Sequence, residues 1–177
     1  MGGEVHFPQI YIKIEGTSAR FCRELYTHIG RSPTRLQAST RYIPYEKGFE
    51  YIIPPHIENN KEALKIYNKT MDKIVKAASE LKDLGIPRED AANLLPLGMT
   101  STMVMRTNLR MLIDMSKQRM CARALWEFRD FMDLLIKELS AYSDDYKILT
   151  EEFFKAKCED LGYCPEGKNS CGKHKPR

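Results

Sequence analysis

The sequence has no apolar run near the roughly 20 residues that a helix needs to cross a bilayer, so no membrane span is expected. The opening MGGEVHFPQI lacks a basic region followed by an apolar core, the pattern of a secretory signal. His6 stands where a myristoylation pattern needs Ser or Thr. A cytoplasmic location is the expectation that follows. One-signed charge is also scarce: 28 basic residues face 24 acidic ones, for a net charge of +4. With no long basic stripe and no RNA-binding signature, a nucleic acid polymer is not an expected partner. Internal repeats and low-complexity stretches are absent as well, which argues against a solenoid or a disordered chain.

What is present suits a globular chain with a real core. Hydrophobic residues make up 42% of the 177 and charged residues 29%. Gln9 to Glu15 alternates Ile10, Ile12 and Ile14 with Tyr11 and Lys13, which predicts a half-buried strand ended by Gly16. Thr17 or Ser18 can cap a helix running to about His28. Tyr51 to Pro55 reads as a short extended piece. Asn60 to Leu84 carries Leu64, Tyr67, Met71, Ile74, Ala78 and Leu81 at helical spacing, with Gly85 as its stop and Pro87 opening a short helix. Cys121 to Ala141 predicts another long helix, and Thr150 to Leu161 a last one. The apolar stripe of the Cys121–Ala141 helix is wide enough to suggest burial against more than one neighbour, hence an oligomer.

The central stretch is Pro96 to Arg129. Thr100 to Thr107 reads as a strand, and Asn108 opens a helix as a cap for its free N–H groups. At about 100° per residue, Arg110 and Asp114 share one helix face and Arg119 lies roughly opposite Arg110. Spacing alone makes Arg110 and Asp114 a surface pair worth about 0.3–0.5 kcal/mol. An anionic ligand is the other partner that such charges could serve.

Gly30 to Tyr45 has no clean period. Arg31, Arg35 and Arg41 lie among Ser32, Thr34, Ser39 and Thr40, between Pro33 and Pro44. Planar guanidinium forks with short hydroxyl donors suit phosphate, and a polar surface loop explains the composition equally well. In the last twenty residues, Cys158, Cys164, Cys171 and His174 supply three thiols and an imidazole, a zinc-type donor set without the compact C-x2-C spacing. Reduced thiols with no metal are the plainer expectation.

Two stretches together resemble the flavin-dependent thymidylate synthases. The later one holds Leu95-Pro96, Asn108-Leu109-Arg110, Arg119 and Ala124-Leu125-Trp126-Glu127-Phe128-Arg129, which fit the family pattern without a gap. The earlier, THIGRSPTRLQASTRY, aligns His28, Ser32, Ser39, Arg41 and Tyr42 once two residues are inserted between the serines. Thr27 and Ile29 replace the arginines that flank the family's histidine. Glu24 stands at a usual Gln, Ala92 at a usual Arg, Asp114 at a usual Asn and Leu125 at a usual Gln, and the N-terminus is short.

The resemblance implies an α+β fold, a small antiparallel sheet packed with long helices. Residues 1–157 would form the catalytic domain and 158–177 a basic Cys/His tail. It implies reductive methylation of dUMP to dTMP, with methylenetetrahydrofolate supplying the carbon, FAD the hydride and NADPH the reducing power. Arg119 would be the catalytic cation at the pyrimidine. Gln37, Ala38, Ser39, Thr40 and Arg41, with Arg119, would bind dUMP. His28, Arg31, Asn108, Arg110 and Asp114 would contact FAD. The family implies a homotetramer whose sites are shared between subunits. The alternative is a non-catalytic or diverged nucleotide- or flavin-binding paralogue.

Overall fold

The strand Thr100–Asn108 (β3) buries every second residue: Ser101, Met103, Met105 and Thr107. That is the period of two expected when one face of a pleated strand packs inward. Here methionine takes two of the four inward positions. A computed structural model of the chain describes residues 8–28, 34–41 and 44–177. β3 is the middle strand of a three-stranded antiparallel sheet, between Gln9–Ser18 (β1) and Thr34–Gln37 (β2).

The chain divides into two compact units. One comprises the described parts of Ile12–Thr27 and Arg35–Met105. In it β1 leads directly into Ala19–Leu25 (α1), which Ser18 caps: its buried Oγ accepts from the Phe21 N–H at 3.0 Å. Phe21, Cys22 and Leu25 of α1 are fully buried. The helix Pro55–Glu58 (α2) precedes Lys61–Asp83 (α3), whose cap Asn60 accepts from the Glu62 and Ala63 N–H groups. Met71 and Ala78 are its buried positions, and the rest of the expected stripe is half-buried. Gly85, with φ +77°, follows the end of α3, where a left-handed residue stops the helix as expected. Arg88–Ala91 (α4) comes next.

The other unit comprises the described parts of residues 1–11 and 28–34 together with Arg106–Arg177. Asn108 ends β3 and caps Leu109–Arg119 (α5), its Oδ1 accepting from the Met111 N–H at 3.0 Å. Leu109, Leu112, Met115 and Ser116 are the buried face of α5. Trp126–Tyr142 (α6) buries Phe128, Met132, Leu135 and Leu139 and packs on Asp144–Phe153 (α7), with Ser140 and Thr150 hydroxyls 2.7 Å apart between them. Lys157–Leu161 (α8) packs on α5.

Five expectations differ. β1 runs past Gly16 to Ser18, because Gly16 takes φ +67° inside the strand instead of ending it. α1 stops at Leu25, short of His28. The segment read as irregular contains β2, which leads to the Ala38 N–H donating to the Thr102 carbonyl at 3.0 Å. The Cys121 helix starts only at Trp126: Arg129 Nη1 donates to the carbonyls of Ala122 (3.0 Å) and Ala124 (2.5 Å), which fixes that turn outside the helix. The expected last helix is two, α7 and α8. Burial of Phe154 turns the chain between them, and Glu159 Oε2 accepts the Ala156 N–H.

Candidate active site

In the unit that holds α5, the last residue of that helix points back to a residue 91 positions earlier. Arg119 Nε donates to His28 Nε2 at 2.7 Å. An imidazole nitrogen that accepts must be unprotonated, so the His28 proton sits on Nδ1. The Arg119 guanidinium lies over the Phe128 ring, 4.6 Å from its centroid, and the His28 ring stands 5.7 Å from the same ring. Phe128 is fully buried and is itself braced edge-on by Phe131 at 5.8 Å. The ring face and the nitrogen lone pair fix the direction of the guanidinium, and neither of these two groups brings an opposite charge. The result is a cation of fixed direction, able to stabilise negative charge that develops beside it.

At the other end of α5, Arg110 and Asp114 pair at 3.3 Å and both are exposed. Exposure keeps the pair's stability contribution small and leaves the guanidinium open to a ligand. Asn108 uses its carbonyl oxygen for the cap, which leaves its amide N–H groups as donors at the helix start. The structure thus places Asn108, Arg110 and Asp114 together and brings His28 to Arg119. Arg31 lies outside the described residues.

Gln37, Ala38, Ser39, Thr40 and Arg41 are grouped in the other unit. Gln37 Nε2 donates to Ser101 Oγ at 3.2 Å, and Ser39 Oγ accepts from the Arg41 N–H at 3.4 Å, a short polar turn. The Ala38 N–H is already committed to Thr102, so at that position a phosphate would have to be held by side chains. Arg41 lies 3.5 Å from Glu89, with both side chains exposed. Nearby, Arg35 stacks over the Tyr26 ring at 5.3 Å, and its burial lowers its basicity somewhat.

The tail closes a cavity of about 910 Å³ in the unit of α5, lined in part by Arg119, Arg123, Arg129, Cys121, Cys158 and Lys173. Cys164, Cys171 and His174 line it too. Among the described residues no three His, Cys, Asp or Glu side chains are arranged to hold a metal ion. Burial, with Glu159 adding to it, pushes the Cys158 thiol up, which keeps it neutral. Sequence reasoning missed Phe128 as the seat of Arg119, because helical spacing marks it only as a core residue. It also missed Arg123 and Arg129 as cavity residues; their position four and ten residues after Arg119 was the available signal.

The sequence profile of the thymidylate synthase complementing protein family matches residues 4–143. The chain belongs to this family. It is 33% identical over 172 residues to a flavin-dependent thymidylate synthase of Nitratidesulfovibrio vulgaris, covering 91% of this chain and 66% of that one. The flavin-dependent thymidylate synthases of Thermococcus onnurineus and Pyrococcus abyssi are 31% and 33% identical, over 88% and 86% of this chain and 64% and 63% of theirs. The chain therefore spans about two thirds of the length of these relatives. The family match takes in His28, the 37–41 turn, α5 with Arg119, and all of α6; its last residue, 143, precedes the cysteines of the tail.

Proposed function

We propose that this chain is a flavin-dependent thymidylate synthase that methylates dUMP reductively to dTMP. The observation that carries the reading is Arg119, fixed by His28 and Phe128 at the end of the Asn108–Arg119 helix. In this reading Arg119 is the catalytic residue. Its guanidinium stabilises the pyrimidine as N3 loses its proton, an electrostatic role that needs a cation set in place beforehand. His28 and Phe128 act as positioning residues: they hold the guanidinium plane so that it need not reorganise when charge develops.

The Ser39 hydroxyl and the Arg41 guanidinium, with Gln37, Ala38 and Thr40, bind the dUMP phosphate. Arg41 exchanges its exposed Glu89 contact for the anion, which an exposed pair allows at small cost. The donor set of Asn108, Arg110 and Asp114 fits FAD: an outward guanidinium and an amide donor meet its diphosphate, and Asp114 fixes the direction of Arg110. His28 and Arg31 complete that assignment. When bound, FAD supplies the hydride, with NAD(P)H as its reductant and methylenetetrahydrofolate as the carbon donor. The catalytic domain is 1–157 and the tail 158–177. The protein acts as a cytoplasmic homotetramer, without nucleic acid or membrane as partner. No helix among the described residues is long and apolar enough to cross a membrane.

The test is tritium release from labelled dUMP, with Arg119→Ala beside the parent and flavin absorbance read on both. The expected result is yellow protein in both samples and turnover only in the parent. Equal turnover would remove Arg119 from the mechanism. Flavin or dUMP binding without dTMP in the parent would instead make the chain a diverged, non-catalytic paralogue.

A further inference from the structure

Asp114 and Glu166 are the carboxylates that line the cavity under the tail, and the lysines and arginines of its lining outnumber them. Lys117 and Lys173 pair with carboxylates, Lys117 with Asp160 at 3.1 Å, which also takes Lys155, and Lys173 with Glu159 at 2.5 Å. Arg123 and Arg129 differ. Arg123 Nε donates to the Asn169 carbonyl at 2.6 Å, and Arg129 Nη1 to the carbonyls of Ala122 and Ala124. A carbonyl fixes the direction of a guanidinium without cancelling its charge, and each arginine keeps further N–H donors. Lys157, exposed at the start of α8, adds an ammonium to the same wall. The neutral Cys158 thiol in that wall brings no opposing charge.

We propose that Arg123, Arg129 and Lys157 form an anion-binding subsite for a small molecule carrying two or more phosphate or carboxylate groups. The volume of about 910 Å³ is in the range of small-molecule pockets, so such a ligand fits without opening the fold. The tail is part of this subsite: Asn169 orients Arg123, and the tail itself is pinned by Lys117–Asp160, Lys155–Asp160 and Lys173–Glu159. Two fixed forks favour a ligand whose anionic groups are spaced along a chain over a single compact ion. Arg119 and Asp114 line the same cavity, so the subsite adjoins the site proposed above, but its three cations are residues to which that reading gives no role.

Calorimetric titration of the full chain with tripolyphosphate, and separately with tricarballylate, tests this. We expect saturable binding of at least one probe, and the stronger of the two tells phosphate from carboxylate recognition. Arg123→Gln weakens it about tenfold, and Arg123→Gln with Lys157→Gln about a hundredfold, as expected for losing charge-assisted hydrogen bonds. Arg129→Gln releases the turn before α6 and can unfold the protein, so the exposed Lys157→Gln carries the single-site test beside Arg123→Gln. Lys65→Gln, exposed on α3, leaves affinity unchanged. A parent that binds neither probe, or variants that bind as the parent does, would overturn the proposal. Flavin absorbance and dUMP turnover on the same samples separate the two readings. Turnover without probe binding removes only the subsite. Probe binding with the stated variant pattern in a colourless, inactive protein upholds the subsite and removes only the synthase.

Discussion

A ring face and an imidazole lone pair help to fix Arg119, and neither brings an opposite charge. Removal of the cation by Arg119→Ala is expected to lower dUMP turnover about 10²–10³-fold, the range for a lost donor aimed at developing charge. Phe128→Leu is expected to keep the fold and reduce turnover less, because the cation remains but loses its seat; steady-state tritium release on both variants checks this order. Thr107 shows the opposite situation. Its side chain is 1% exposed and its Oγ1 finds no hydrogen-bond partner among the described residues. A buried hydroxyl with no partner has lost its water for nothing. Thr107→Val is therefore expected to stabilise the protein by about 0.5–1 kcal/mol, read as a higher urea midpoint at unchanged slope.

Among the elements, α5 shows how one side chain can serve twice. Asn108→Ala removes the cap and is expected to cost about 1 kcal/mol of stability. Asn108→Asp keeps an accepting oxygen for Met111 and suits the helix N-terminus, yet it loses the amide donor. Urea melts and flavin titration should then separate: the Asp variant is stable but weak for FAD, and the Ala variant is impaired in both. The turn before β3 sets a second test. A Cβ on Gly98 would lie 2.5 Å from Tyr67 Oη, which donates to the Ile52 carbonyl at 2.9 Å. Gly98→Ala alone is expected to cost about 1–3 kcal/mol through overpacking. On a Tyr67→Phe background the same change should cost far less, because the clashing oxygen is gone. A double-mutant cycle measures the difference.

For the molecule as a whole, the acidic clamps on the tail respond to pH. The Lys173 hydrogen bond holds Glu159 below its ordinary range, and those of Lys117 and Lys155 do the same for Asp160. A carboxylate whose folded value is depressed stabilises fully above its unfolded value, and that stability is lost as pH falls through the folded one. The tail is thus expected to stay anchored at neutral pH and to loosen below about pH 4, where free carboxyls take up protons. Hydrogen exchange across 158–177, corrected for intrinsic rate, checks this, and Glu159→Gln should bring the loosening to neutral pH. Sedimentation velocity at the tetramer mass is the matching check on the proposed assembly. Leu134 and Tyr142 of α6 are 56% and 80% exposed in the single chain, apolar surface that an assembly would cover.

Local chemistry was readable from the sequence alone. The Asn108 cap, the Arg110–Asp114 pair, the strand at Thr100–Thr107 and the Gly85 stop depend on residues within a few positions of one another, so local residue types and spacing identify them. The family pattern was legible for the same reason, as a run of types at fixed intervals. Tertiary structure decided what depends on distant partners. His28 and Arg119 are 91 residues apart, and only the fold brings them to 2.7 Å. Periodicity carries the Cys121 helix too far upstream, because it cannot see Arg129 reaching back to hold the Ala122 and Ala124 carbonyls. Nor can it see that Cys121 shares a cavity with Cys158, Cys164, Cys171 and His174. Sequence spacing specifies a side chain's direction along its own element. Its partner is set by which elements bury their apolar faces together.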